Sequence, residues 1–469
     1  MRSSPRRSAA TVLVVSAAAF LASLDLFIVN IAFPDIRTAF AVTDLGAMSW
    51  ILNGYTLVFA AFLNPAGRLG DRYGHRRIFL WGLAVFTLGS AACGISGSFA
   101  ALIVCRVVQA FGAALLMPSS LALLMAAVPA ARRSIAVSTW SAVAAMAAAL
   151  GPPVGGLLVE LSWRWIFFVN LPVGLAALAA GPWVLARSAG AGTGIPDLLG
   201  ALCLVLGVGA LVWALIELPA AGGTAARVVI AAGTAVCAMA LAVWRSLRHP
   251  TPALDLAAVR IVPMWSSCLA LLLFAAAFGA MLLGSVMLLT TVWGKTPAAA
   301  GLCLSPGPVM VVLVSLTISG RLIDRVGVGV VAAVGAALYA LGIVIWLCRV
   351  TPEPHYVADF LPGQLFTGAG VGLVIPSLSA VTGLALPTQR WGAGSALTNT
   401  ARQLGTVLGT AVLTMIYQPG ITLAAIRWGW GFIVAAAGTS AVIAAALALW
   451  WRSNAEAPPV VAAQECAMR

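Results

Sequence analysis

The chain has 469 residues, of which 62% are apolar and 8% charged, against about 25% charged in an ordinary soluble domain. That excess of apolar surface excludes a soluble enzyme and a disordered protein, and at ~20 residues per crossing it allows close to fourteen helical membrane spans. The formal charge of +13 is spread singly or in pairs between apolar runs, with no basic stripe interleaved with aromatics. It therefore reads as orientation in a bilayer rather than nucleic-acid binding.

Arg2, Arg6 and Arg7 precede an apolar run from Thr11 to Phe33. Ala39-Phe40-Ala41 imitates a cleavage site, but the run is too long for a signal-peptide core and carries Asp25, so it is read as a retained first span. Further runs follow at 46–66, 78–97, 99–127, 135–158 and 165–186, then at 197–218, 226–246, 264–290, 298–319, 327–349, 356–384, 391–416 and 429–451. The expected fold is an all-α polytopic membrane protein with fourteen transmembrane helices.

With the N-terminus in the cytoplasm, 18 of the 26 basic residues fall on the cytoplasmic side and six on the other, while Arg106 and Arg402 fall inside spans. That asymmetry supports an even span count with both termini cytoplasmic. Eight cysteines, at 93, 105, 203, 237, 268, 303, 348 and 466, form no CxxC pair, and the three histidines stand alone. They predict no metal site.

An internal repeat organises the chain. A shift of 258 aligns Gly112, Pro118, Ser119, Pro129, Arg132 and Gly151 with Gly370, Pro376, Ser377, Pro387, Arg390 and Gly409. A shift of 253 aligns Gly67-Arg68-Leu69 and Asp71-Arg72 with Gly320-Arg321-Leu322 and Asp324-Arg325. The expected organisation is a tail at 1–11, a six-helix bundle at 12–186, two additional helices at 197–246, a second six-helix bundle at 264–451 and a tail at 452–469. Parallel repeats of this kind are typical of transporters that rock one bundle against the other.

The connection between the second and third spans reads G-R-L-G-D-R-Y-G-H-R-R from Gly67. Gly67, Gly74 and their neighbours permit a tight turn, and Asp71, Arg72, Arg76 and Arg77 can pair at the membrane face; a loop that merely fixes topology is the alternative. The string resembles the G-x-L-x-D-R-x-G-R-[KR]-[KR] signature of the major facilitator superfamily, with Asp324 and Arg325 in a partial second copy.

Leu24-Asp25-Leu26-Phe27-Ile28-Val29-Asn30-Ile31-Ala32-Phe33-Pro34 resembles the first-helix motif of that superfamily's fourteen-helix drug:proton antiporters. The resemblance extends through Trp163 to Pro172 and Asn399 to Gln403. It implies a proton-driven exporter of amphipathic drugs or antibiotics in a bacterial plasma membrane, with protons, the bilayer and a small molecule as partners. It implies neither nucleotide nor cofactor, the proton gradient being the energy source.

Asp25 is the central candidate. A carboxylate in hydrocarbon is either protonated or paired, and a conformational change that exchanges those environments loads and releases a proton. Arg106-Val107-Val108-Gln109-Ala110-Phe111-Gly112 resembles the fourth-helix R-x-x-Q-G-x-G motif, whose arginine is implicated in proton transfer, with Ala110 where the family has glycine. Arg106 needs an acid from another helix, and Asp25 is the expected partner; snorkelling to the interface is the alternative. The repeat puts Gln364 opposite Arg106, so this charge belongs to one half only.

Gly151, Pro152, Gly155 and Gly156 resemble the G-P-x-x-G-G antiporter motif. Prolines there bend a helix and glycines admit a neighbouring backbone, with or without a role in coupling. Asn399, Arg402 and Gln403 share one helix face and either touch substrate or join helices. Asn30, Trp50, Asn53, Tyr55, Gln109 and Met117 complete the candidate substrate cavity, although aromatic and methionine residues in spans also serve as packing. A dedicated exporter of one endogenous metabolite is the rival reading. A membrane enzyme would show clustered His, Asp or Ser at a span end and a sensor a soluble domain, and neither pattern is visible.

Overall fold

The structure, a computed structural model, describes residues 5–129, 133–186, 194–218, 225–254, 256–386 and 391–454. Arg132, Arg187, Pro387, Arg390 and the tail beyond residue 454 lie outside the described residues. Among the described residues all regular structure is helical, as expected of a chain whose backbone groups must be satisfied without water.

The first half of the chain forms α1 (Pro5–Ile31), α2 (Leu45–Tyr73), α3 (His75–Gly94), α4 (Phe99–Ala127), α5 (Arg133–Leu161) and α6 (Trp165–Val184). After these come α7 (Leu198–Glu217), α8 (Ala225–Arg248), α9 (Val262–Val292), α10 (Pro297–Val326), α11 (Val328–Arg349), α12 (Tyr356–Ala385), α13 (Trp391–Tyr417) and α14 (Leu423–Ser453). Short polar side chains start several of them. Asp44 accepts from the amides of Gly46 and Ala47 at 2.7 and 3.1 Å, Asp197 from Gly200 at 2.8 Å, and Thr422 from Ala425 at 3.2 Å. Each satisfies amides that a helix start leaves bare.

Among the described residues twelve of these helices are long and apolar enough to cross a membrane, against the fourteen expected from the sequence. The two outside that set are α5 and α13, helices of 29 and 27 residues. Among the described residues of α5 the apolar stretch is Met146–Leu161, short of a full crossing, and α13 carries the polar run Asn399 to Gln403.

Two compact units emerge. The first comprises Met1–Ala253, Ser285–Ser305 and Thr414–Ile421, the second Leu254–Gly284, Pro306–Leu413 and Thr422–Arg469. In the first unit α3 and α4 approach until a Cβ on Gly82 would lie 2.8 Å from Leu116 N, and one on Gly89 would lie 2.9 Å from Gln109 Cα. The second unit reproduces this crossing at the repeat positions. A Cβ on Gly335 would lie 2.7 Å from Leu373 Cβ, and one on Gly342 would lie 2.9 Å from Thr367 N. The turns leading into α3 and α11 also match: Gly74 and Gly327 have φ of 91° and 88°, a region open to glycine at little cost, and their amides donate to Gly70 O and Ile323 O.

The pair α7–α8 is tied into the first unit. Asp197 Oδ1 accepts from Arg245 Nε and Nη2 at 2.9 and 2.8 Å, and Asn64 Nδ2 in α2 donates to Pro252 O and Ala253 O at 3.1 and 2.8 Å.

Candidate functional site

The charged centre of the first unit lies where α1, α2, α3, α4 and α6 meet. Asp25 and Arg106 are 0% and 1% exposed, and Arg106 Nη1 donates to Asp25 Oδ2 at 2.5 Å. The other carboxylate oxygen accepts from Gln109 Nε2 at 2.9 Å and from Asn170 Nδ2 at 3.3 Å. Arg106 Nη1 also reaches Gln109 Oε1 at 2.8 Å, and its Nε donates to Ile51 O at 3.4 Å. The Tyr55 ring lies 4.1 Å and the Phe167 ring 5.7 Å from the guanidinium carbon. Negative ring faces in a dry site favour a cation there.

Local sequence explains this convergence. Arg106 and Gln109 are three residues apart and so share one face of α4, and the glycine approach at Gly89 brings that face against α3. Cys93 Sγ of α3 donates to Gln109 Oε1 at 3.7 Å. At the start of α6, Asn170 Nδ2 donates also to Ser90 Oγ at 3.0 Å, and that hydroxyl donates to Phe167 O at 2.9 Å. Every donor aimed at the carboxylate is thus held by a second partner. The arrangement surrounds the Asp25 carboxylate with one guanidinium and two amide donors and closes it off from water.

Tyr55 and Gln109 join this cluster. Asn30 Nδ2 bonds Leu26 O and Phe27 O of its own helix, and Asn53 Nδ2 bonds Ser49 Oγ. Trp50 lies near Gly209 of α7, and Met117 packs on the apolar core around Tyr55, Phe59 and Phe86. In the second unit Arg402 Nη2 donates to Asn399 Oδ1 at 3.1 Å, and Gln403 is buried. In the α2–α3 connection Asp71 pairs with His75 at 3.1 Å, Arg72 lies over the Tyr73 ring, and Arg76 donates to Pro182 O. Gly67 lies against Pro118, and Arg77 is exposed. Asp324 and Arg325 end α10 without an ion pair among the described residues.

Along α5, Gly151 and Gly155 face Phe27, Ile28 and Ile31 of α1, Gly156 meets the Pro297 carbonyl, and Pro152 O faces Gly301. Asn170, Ser90 and Cys93 are the site residues that sequence reasoning missed. The available signal was an asparagine after the apolar run Trp165 to Val169, where an unpaired amide in hydrocarbon is costly.

A family model described as "Major Facilitator Superfamily" matches residues 15–259 and 269–466. The chain belongs to the major facilitator superfamily. It is a multi-pass membrane transporter of the plasma membrane, and its curated relatives are named as resistance and export proteins. It is 36% identical over 407 residues to the multidrug resistance protein Stp of Mycobacterium tuberculosis, covering 86% of this chain and 74% of that one. It is likewise 36% identical over 409 residues to the tetracenomycin C resistance and export protein of Streptomyces glaucescens, covering 87% and 75%. Among solved structures a D-xylose-proton symporter matches with TM-score 0.68 at 14% identity, over 93% of this chain and 96% of that one. That likeness gives the shared fold.

Proposed function

We propose that this chain is a proton-coupled antiporter that exports amphipathic drugs or antibiotics by alternating access. In this reading it has fourteen spans, with both termini in the cytoplasm. The observation that carries the proposal is the buried Asp25–Arg106 pair with its Gln109 and Asn170 donors. An intramembrane carboxylate that is ionised only while paired must take up a proton once the pair separates, and that exchange couples proton entry to a change of conformation. Inward proton flow supplies ~2.3 kcal/mol per charge per 100 mV. No nucleotide-binding loop of the form G-x-x-x-x-G-K-[ST] is present in the sequence.

Asp25→Asn tests this reading in everted vesicles. Gradient-driven movement of substrate is lost while substrate binding stays measurable; undiminished transport overturns the role of Asp25. The printed name of the Streptomyces relative, which specifies one antibiotic, favours a second reading as a dedicated exporter of a single metabolite. A chemically diverse resistance panel in an efflux-deficient host, with and without an uncoupler, separates the two.

A further inference from the structure

On the fourteen-span reading Arg402, midway along α13, is a cation inside the membrane, and no acid pairs with it among the described residues. It stands eleven residues after the start of α13 and fifteen before its end, about 16 and 22 Å along the helix at 1.5 Å per residue. The contacts between basic and acidic side chains among the described residues are Arg106–Asp25 and Arg245–Asp197, with His75–Asp71 and His355–Asp359 charged only when the imidazole carries a second proton. Arg402 is in none of them; its hydrogen bond is to the neutral Asn399.

Among the described residues no acid pairs with Arg402. Asp71, Glu160, Glu217, Asp324 and Asp359 all stand within four residues of a helix end, and Asp25 is engaged by Arg106. Among the described residues, Arg106 thus has a carboxylate partner and Arg402 has none. Intramembrane charges face a cavity or a partner, because lipid offers neither counter-charge nor hydrogen bonds. The residue is also rigidly carried: Gly405, on the next turn, packs against the Leu272 carbonyl of α9, and Gly409 against that of Ala276. Gln403, the next residue after Arg402, is 4% exposed.

We propose that the cargo supplies the counter-charge: Arg402, with Asn399 and Gln403, forms a subsite for the carboxylate or equivalent anionic oxygens of an amphipathic acid. The assignment rests on the exporter reading and narrows its substrate class. A guanidinium presents a planar fork matched to a carboxylate, and two amides on the same helix face add donors beside it. A transport consequence follows. Exchanging one entering proton for one leaving anion moves two elementary charges, whereas a neutral cargo moves one, so an imposed membrane potential accelerates acid export more than ester export.

The test uses purified protein in phosphatidylcholine nanodiscs, where no anionic lipid competes, and three probes: naphthylacetate, its methyl ester and naphthylethylamine. Binding is read by quenching of intrinsic tryptophan fluorescence. The wild type binds the acid about tenfold more tightly than the ester or the amine. Arg402→Gln brings the acid down to the ester's affinity, and Arg402→Lys retains part of the preference. An acid bound no better than its ester by the wild type, or a preference that survives Arg402→Gln, overturns the proposal. Gradient-driven transport of the same probes in proteoliposomes separates this from the wider reading. Coupled transport of the amine without any acid preference defeats the anion subsite alone. An acid preference at Arg402 with no gradient-driven transport supports the subsite and defeats the exporter reading.

Discussion

Asp25 Oδ2 and Arg106 Nη1 stand 2.5 Å apart, brought together from positions 81 residues apart in the chain. Neither charge has access to water, so each is the other's principal compensation. Removing one partner of such a pair typically costs about 3–5 kcal/mol, more than removing both, because a lone buried charge remains. Arg106→Gln should therefore lower the apparent melting temperature in detergent sharply. The double variant Asp25→Asn/Arg106→Gln should recover much of that loss, with a coupling energy outside the additive range. Equal or additive losses would show that the two charges do not depend on each other.

Asn170 donates to both Asp25 and Ser90. Asn170→Ala removes a donor from the buried Asp25 carboxyl, which Arg106 also engages, and leaves the Ser90 hydroxyl held only by the Phe167 carbonyl. A lost bond to a buried charged group is worth about 1.5–3 kcal/mol. The variant should melt earlier than wild type and transport more slowly, whereas Asn170→Gln, which keeps the amide, should restore part of both. Wild-type behaviour in Asn170→Ala would show that Gln109 and Arg106 suffice.

Much of this was legible in the sequence because membranes simplify the signal. Apolar runs mark helices, and a single mid-span acid draws attention to itself. Arg106 could be matched to Asp25 by elimination, since no acid lies near it in sequence. The repeat was legible through Gly67 to Arg72 and Gly320 to Arg325. Its physical basis, the backbone approach at Gly82 and Gly335, was not, because in an alanine-rich chain a packing glycine looks like any other. Asn170 and Ser90 escaped for a related reason: their importance lies in which helices adjoin them, and periodicity along one helix carries no such information. The polar face of α13 was visible, whereas the missing counter-charge of Arg402 required the geometry of every other ion pair.

The repeated glycine crossings make a paired prediction. A Cβ added at Gly82 or Gly335 meets the opposing helix at 2.8 or 2.7 Å, and tightly packed interiors do not yield to such overlap without shifting backbone. Gly82→Ala and Gly335→Ala should each lower the melting temperature, at a cost of about 1–3 kcal/mol. Gly431→Ala and Gly438→Ala in α14 are the controls, since nothing lies within 4 Å of a Cβ there. These two should be neutral or stabilising by up to about 1 kcal/mol through helix propensity. Similar losses at all four positions would point to a general effect of glycine replacement and against the crossings.

Asp35 offers a pH test away from the membrane interior. It lies in the short helix Phe33–Ala39 that follows α1, one position after Pro34. Partial burial pushes its carboxyl above the ordinary carboxylate value, and a bond from its own backbone amide only partly opposes this. The folded chain therefore holds this proton more tightly than the unfolded chain does. The resulting stabilisation is complete below the unfolded value of about 3.9 and disappears as pH rises through the raised folded value. At neutral pH the wild type carries a penalty that Asp35→Asn escapes. The variant should melt at a higher temperature than wild type at pH 7, with the difference shrinking as acid is added and vanishing below about pH 4. Melting curves by intrinsic fluorescence across that range decide it; a variant advantage that grows toward acid would mean that the folded state favours the ionised form.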